Sequence, residues 1–150
     1  MKTINGPGGR PIRRGDIYYA DLPQTEEGSV QSGTRPILIT QCNRLNRTST
    51  TVIVAIITSK LKRPDDETHV VLPMIKGLPK QSMVEAEQRK TISKTQLLEY
   101  RGTLDDETMK KVTRALRASE KEDENLHRRR KKSIPVKCAN EKIAGMQKID

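Results

Sequence analysis

Tryptophan and phenylalanine are absent from the 150 residues, and the aromatic complement is three tyrosines, Tyr18, Tyr19 and Tyr100. A nucleic-acid binder that stacks successive bases on several aromatic platforms is therefore not expected. The two cysteines, Cys42 and Cys138, lie far apart and form no CxxC pair, which argues against a disulfide scaffold or a cysteine-built zinc site. His69 and His127 are the only histidines, too distant in sequence to assume a shared role. HExxH, GxxxxGK[ST] and GxGxxG are all missing, and with them the usual metallopeptidase helix and nucleotide-phosphate loop. No cluster of metal-ligand type is visible, so neither a metal site nor a cofactor is expected. No apolar run reaches the roughly 18 residues of a membrane-spanning helix, and no membrane association is expected. The amino-terminal MKTINGPGGRPIRRG has no apolar stretch of the kind that directs secretion, so the expected location is cytoplasmic.

Charge is what the chain has in excess. Twenty-nine Lys and Arg stand against nineteen Asp and Glu, for a formal net charge of +10. The surplus is spread along the sequence: residues 1–118 carry 20 basic and 13 acidic side chains, and residues 119–150 carry 9 and 6. A domain this basic suits a phosphate-backbone binder, and it equally suits a solubilising surface. Charge alone leaves both open.

Residues 1–12 are rich in Gly and Pro without periodicity and read as a flexible leader. Short β-like runs follow at Gly15–Ala20, Pro36–Gln41, Thr50–Thr58, Thr68–Pro73 and Ser82–Ala86. TTVIVAIIT, nearly continuous in β-branched residues, predicts a strand buried on both faces. The pattern changes after residue 92. Ser93 is placed to cap a short helix through Glu99, and Thr103 to cap a longer one reaching about Ser119. Asp105, Asp106 and Glu107 suit the positive end of that helix, and Leu104, Met109, Val112 and Leu116 give it one apolar stripe. Residues 119–150 form a charged extension whose acidic block and Arg128–Lys132 run read as a solvated helix or a disordered tail. Strands first and helices late predict a mainly β, α+β domain over 13–118, a small barrel or sheet with a C-terminal helix.

Two places carry chemistry. The loop Gly28–Pro36 is built of small residues that permit close approach of a ligand, and it feeds straight into an apolar strand. Arg35 at its end is held on a rigid element, where a planar guanidinium can clamp a phosphate. Taken alone, such an arginine more often pins its own loop to a carbonyl or carboxylate. Thr58 ends the strand VIVAIIT beside Ser59 and Lys60 and can bond a phosphate oxygen, although a threonine there commonly just starts a turn.

The ordered set RRGDIYYADL, TRPILITQCNRLN, TVIVAIITSKLK, THVVLP, SMVEAEQRKTISKTQL and LDDETM resembles the PemK/MazF family of bacterial toxin endoribonucleases over about residues 13–118. The resemblance implies an SH3-like β-barrel with short helices, a homodimer, and sequence-selective, metal-independent cleavage of single-stranded RNA. It further implies a cognate antitoxin as partner, with operator DNA contacted only through the antitoxin complex. Arg35 and Thr58 match the family's catalytic pair. Gln31, Thr34, Ser59 and Lys60 are the accompanying candidates for RNA contact. The chain also departs from the family pattern. Val30 stands where many relatives carry Glu, with Glu26 and Glu27 close upstream; Lys90 replaces an arginine; Arg89 and Glu85 occupy positions that are usually apolar. The alternative reading is a catalytically weakened module of the same fold that binds nucleic acid or an antitoxin.

Overall fold

The computed structural model describes residues 5–23 and 33–122. The compact unit that contains the fold ends at Ser119. Six strands make one sheet: β1 (Asp16–Leu22), β2 (Gly33–Ile39), β3 (Thr51–Thr58), β4 (His69–Val71), β5 (Met83–Ser93) and β6 (Leu97–Thr103). They run in the order β4-β5-β3-β2-β1-β6, with every neighbouring pair antiparallel. Two helices complete it, the short α1 (Asn43–Thr48) and the C-terminal α2 (Asp106–Glu120). This is the mainly β domain with a terminal helix expected from the sequence. Its ladder is open, with β4 and β6 at the edges.

Both faces of the sheet are apolar, because the strand pairings line up aliphatic residues in rows. Ile17 pairs with Leu38 and Leu38 with Ala55, a row that Ile57, Val84 and the α2 residues Val112 and Ala115 extend into one core. The next row, Tyr18 with Ile37 and Ile37 with Ile56, belongs to a second core on the opposite face, together with Ile39, Val52 and Val54. A strand covered on both sides must be apolar at every position, and β3 is buried at six of its eight residues. Withdrawing each such side chain from water is worth about 1.5–3 kcal/mol.

Several expectations need correction. The leader is docked from residue 5 onward: Pro7–Gly9 form a 3-10 turn, Ile12 is buried in the second core, and the Arg10 guanidinium stacks 3.6 Å from the centre of the Tyr100 ring. Ser93 does cap a helix, through a reciprocal capping box with Gln96, but it is one 3-10 turn, and the chain returns at once as β6. Thr103 closes β6, where its hydroxyl bonds the Asp16 carboxylate at 2.8 Å. The cap of α2 is Asp105, whose carboxylate accepts the Thr108 amide at 2.7 Å and is thereby held below its ordinary pKa. The expected apolar stripe is present, with Leu104 and Val112 buried and Met109 and Leu116 packed against the first core. The Arg128–Lys132 run lies outside the described residues.

Two irregularities interrupt this regular pattern. Between Ala55 and Ile56 the β3–β5 register jumps from Arg89 to Glu85, so Ala86, Glu87 and Gln88 bulge from the ladder. Beyond β4, the loop towards β5 crosses β6 at Gly77. A Cβ there would lie 1.7 Å from the Arg101 carbonyl oxygen, so only glycine admits this approach.

Candidate active cleft

Arg35 lies inside β2, paired with Ala20 of β1, rather than in a loop. β2 starts at Gly33, whose φ of 85° suits a residue without a side chain. The paired β2–β3 ladder ends at Ile37 and Ile56, and the same register carried two residues further sets Arg35 opposite Thr58. Both side chains therefore share one sheet face at one end of the strands.

Thr58 is 6% exposed, and its Oγ1 accepts the Lys60 backbone N–H at 3.1 Å. That bond turns the chain out of β3 and fixes the hydroxyl oxygen, while the hydroxyl proton stays available for an incoming acceptor. Arg35 is half-buried.

Thr34, Arg35, Thr58 and Ser59 line a single cleft of about 260 Å³. The opposite wall was not foreseen. It comes from the Gly77 loop, which delivers Leu78, Pro79, Lys80 and Ser82. Arg101 Nε donates to the Gly77 carbonyl at 2.6 Å, and Ser82 Oγ donates to the Lys80 carbonyl at 2.9 Å. These bonds hold the loop over the cleft. Tyr19 forms part of the floor with the Arg101 guanidinium 5.2 Å from its ring centre. The lining thus joins two cations, Arg35 and Lys80, to hydroxyls on an apolar base, a composition that suits a phosphate-bearing ligand. Lys60 is exposed and contributes to the site through its amide on Thr58. Gln31, Val30, Glu26 and Glu27 lie outside the described residues.

Beside this cleft stands a cluster that sequence spacing does not reveal. His69 on β4 pairs directly with Glu85 on β5, and the bulge brings Glu87 to the same place. His69 Nε2 lies 2.7 Å from a Glu87 oxygen, and its Nδ1 lies 2.8 Å from the Arg63 carbonyl. Burial pulls the imidazole pKa down, but the Arg63 carbonyl and the Glu87 carboxylate outweigh it and raise it above 6.5. Burial, reinforced by Glu87, pushes the Glu85 carboxyl above its usual range against the pull of His69, Arg35 and Arg63. The expectation that no metal-ligand cluster exists is therefore corrected: donor atoms of His69, Glu85 and Glu87 lie within 4.8 Å of one another. Of the other departures, the Arg89 guanidinium donates to Ser119 Oγ of α2 at 3.3 Å, and Lys90 pairs with Val54.

Comparison with known proteins converges on one group. The family model described as "PemK-like, MazF-like toxin of type II toxin-antitoxin system" matches residues 13–119. Endoribonuclease EndoA of Bacillus subtilis is 41% identical over 109 residues, covering 72% of this chain and 93% of the relative. Among solved structures, an endoribonuclease in complex with its cognate antitoxin from a mycobacterial species superposes with a TM-score of 0.60 at 28% identity, covering 72% of this chain and 93% of that one. MazF from Deinococcus radiodurans gives a TM-score of 0.61 at 20% identity over 71% and 94% of the two chains, a likeness of fold. Among the described residues, no helix is long and apolar enough to cross a membrane.

Proposed function

The chain belongs to the PemK-like, MazF-like toxin family of type II toxin–antitoxin systems, and on that premise we propose that the Arg35–Thr58 cleft binds single-stranded RNA and cleaves it. Its activity is that of an endoribonuclease, the activity named for its 41% identical relative. The observation that carries the site assignment is the β2–β3 register, which sets a guanidinium and a hydroxyl opposite each other at the mouth of one cleft.

A reaction that uses the RNA's own 2′-OH asks little of the protein beyond positioning and charge. The 2′ oxygen attacks the adjacent phosphorus, the bond to the 5′ oxygen breaks, and the products end in a 2′,3′-cyclic phosphate and a 5′-OH. The 2′ proton is released and the leaving 5′ oxygen takes one up. Because nucleophile and electrophile share one nucleotide, most of the orientation cost is already met. Arg35 donates to the non-bridging oxygens, where negative charge accumulates in the pentavalent state, and the Thr58 hydroxyl adds a donor beside it. A guanidinium stays protonated throughout, so Arg35 acts by charge and hydrogen bonding and not as a base. Thr34, Ser59, Lys80 and Gln31 serve the flanking phosphates and bases.

The family premise also supports a cognate antitoxin as the partner that blocks the cleft, a homodimer as the working form, and operator DNA reached only through the antitoxin complex. The test of the enzyme reading is to incubate the purified chain with a long, weakly structured RNA and map the ends. Fragments with 2′,3′-cyclic phosphate and 5′-OH ends at a recurring sequence are expected. No cleavage across varied RNAs, with RNA binding retained, would establish instead the weakened binding module. Retention of both Arg35 and Thr58 favours the enzyme.

A further inference from the structure

The His69, Glu85 and Glu87 cluster lies outside the cleft lining, and the cleavage chemistry makes no use of it. His69 has a side chain only 3% exposed and both ring nitrogens engaged. The Arg63 carbonyl can only accept, so Nδ1 carries a proton and Nε2 is turned towards the two glutamates. An imidazole held this way, with a backbone carbonyl behind it, is oriented as metal-binding histidines are.

Glu85 supplies a second, independent observation. Its Oε1 is buried, and among the described residues it has no hydrogen-bond partner. Desolvating a carboxylate oxygen without a donor is costly, and a second carboxylate beside it adds repulsion. Glu87 is already committed to His69 and to Thr68 Oγ1, which lies 2.9 Å from its other oxygen. The pocket therefore holds more negative charge than its own donors satisfy.

We propose that His69, Glu85 and Glu87 form a binding site for one divalent first-row metal ion of the zinc class, taken by Nε2 and one oxygen from each carboxylate. A neutral imidazole and two carboxylates carry two negative charges, which a dication balances. Imidazole and carboxylate donors suit zinc, cobalt, manganese or iron, whereas a calcium site needs more oxygen ligands. Bonds of about 2.0–2.2 Å require the donors to draw closer than the 4.8 Å they show. Glu87 is exposed, and rotation of its side chain closes that gap. Three protein ligands leave a coordination position for water. The inference does not rest on the RNA-cleavage reading, and it holds or fails by binding alone.

The test is titration of the full chain with Co²⁺ and with Zn²⁺, without RNA. One ion per chain is expected, with the visible absorption of tetrahedral Co²⁺. The chain has two histidines, so its imidazole resonances are assigned by comparison with a His127→Gln variant, and only the His69 signal should shift on Co²⁺ addition. Glu85→Gln and Glu87→Gln, which keep side-chain shape, should each weaken binding on the order of 10-fold or more, and His69→Gln should abolish it. A shift at His127 in place of His69 would overturn the proposal in the unaltered chain, whatever the variants do. Absence of one-to-one binding, or affinity unchanged in both glutamine variants, would overturn it as well.

Discussion

Arg35 and Thr58 stand opposite each other by strand register, two residues past the last paired positions of β2 and β3. The relationship places the two side chains on one face without any loop geometry to adjust them. Removing one donor of developing phosphate charge costs on the order of 10²–10³-fold in rate, and that loss is expected for Arg35→Ala with RNA binding largely kept. Arg35→Lys should recover only part of the rate, because an ammonium lacks the two-pronged fork. Thr58→Ser should retain more activity than Thr58→Val, since the hydroxyl is what acts. Single-turnover cleavage of a short RNA measures all four. Full activity in Arg35→Ala would remove this cleft from the reaction while leaving the fold intact.

Metal should be dispensable for cleavage. The cleft lining contains Arg, Lys, hydroxyl and apolar side chains and no carboxylate, imidazole or thiol, so it offers no ligand set of the usual kind. Cleavage in excess chelator is expected to stay within about twofold of the untreated rate. A large loss that added metal restores would show that the ion held by His69, Glu85 and Glu87 serves the reaction, and the roles given to Arg35 and Thr58 would then need revision.

The parts of the fold that could be read in sequence are those where burial imposes a pattern. β3 announces itself because both faces are covered and polar residues have no place in TVIVAIIT. α2 does so through Leu104, Val112 and Leu116, spaced to meet one core. β6 escaped notice because it is an edge strand: Leu97 is buried, while Leu98 and Glu99 face solvent and Tyr100 and Arg101 are only half covered, so LLEYRGT lacks a clean alternation. α1 is too short for periodicity to appear. In the cleft, Arg35 and Thr58 were recognisable through the ordered motifs around them. Lys80 and Ser82 were not, because they reach the site through the approach of Gly77 to β6, a contact no local pattern encodes. The His69 cluster depends on β4–β5 pairing and on the Ala86–Gln88 bulge, neither of which spacing reveals.

Gly77→Ala tests how the far wall is held. The added Cβ would lie 1.7 Å from the Arg101 carbonyl oxygen, against backbone on both sides. Moving the loop away breaks the 2.6 Å bond from Arg101 Nε and withdraws Leu78 from the core. Overpacking of this kind costs about 1–3 kcal/mol, so thermal unfolding should fall by several degrees. Because the loop carries Lys80, KM for RNA should rise more than kcat falls. An unchanged midpoint would show that the loop does not approach β6 so closely.

Tyr18 sets the alkaline limit of the fold. Its ring lies in the second core, edge-on to Tyr100 with centroids 5.5 Å apart, and the residue is 0% exposed. Burial, aided by the Asp16 carboxylate, raises its phenol from 10.0 to about 12 against the pull of Arg10. The sign depends on which state keeps the proton. Above pH 10 the unfolded chain ionises this tyrosine while the folded chain does not, so deprotonation favours unfolding and stability falls until the folded pKa near 12 is passed. Tyr18→Phe removes that linkage. Denaturant unfolding of the two proteins should give a stability difference that is constant below about pH 9 and drifts in favour of the phenylalanine variant between about pH 10 and 12. Comparison at each pH cancels the titration of the lysines, which both proteins share. A difference independent of pH across that window would mean that Tyr18 ionises in the folded chain as readily as in the unfolded one, and that the second core admits water at the phenol.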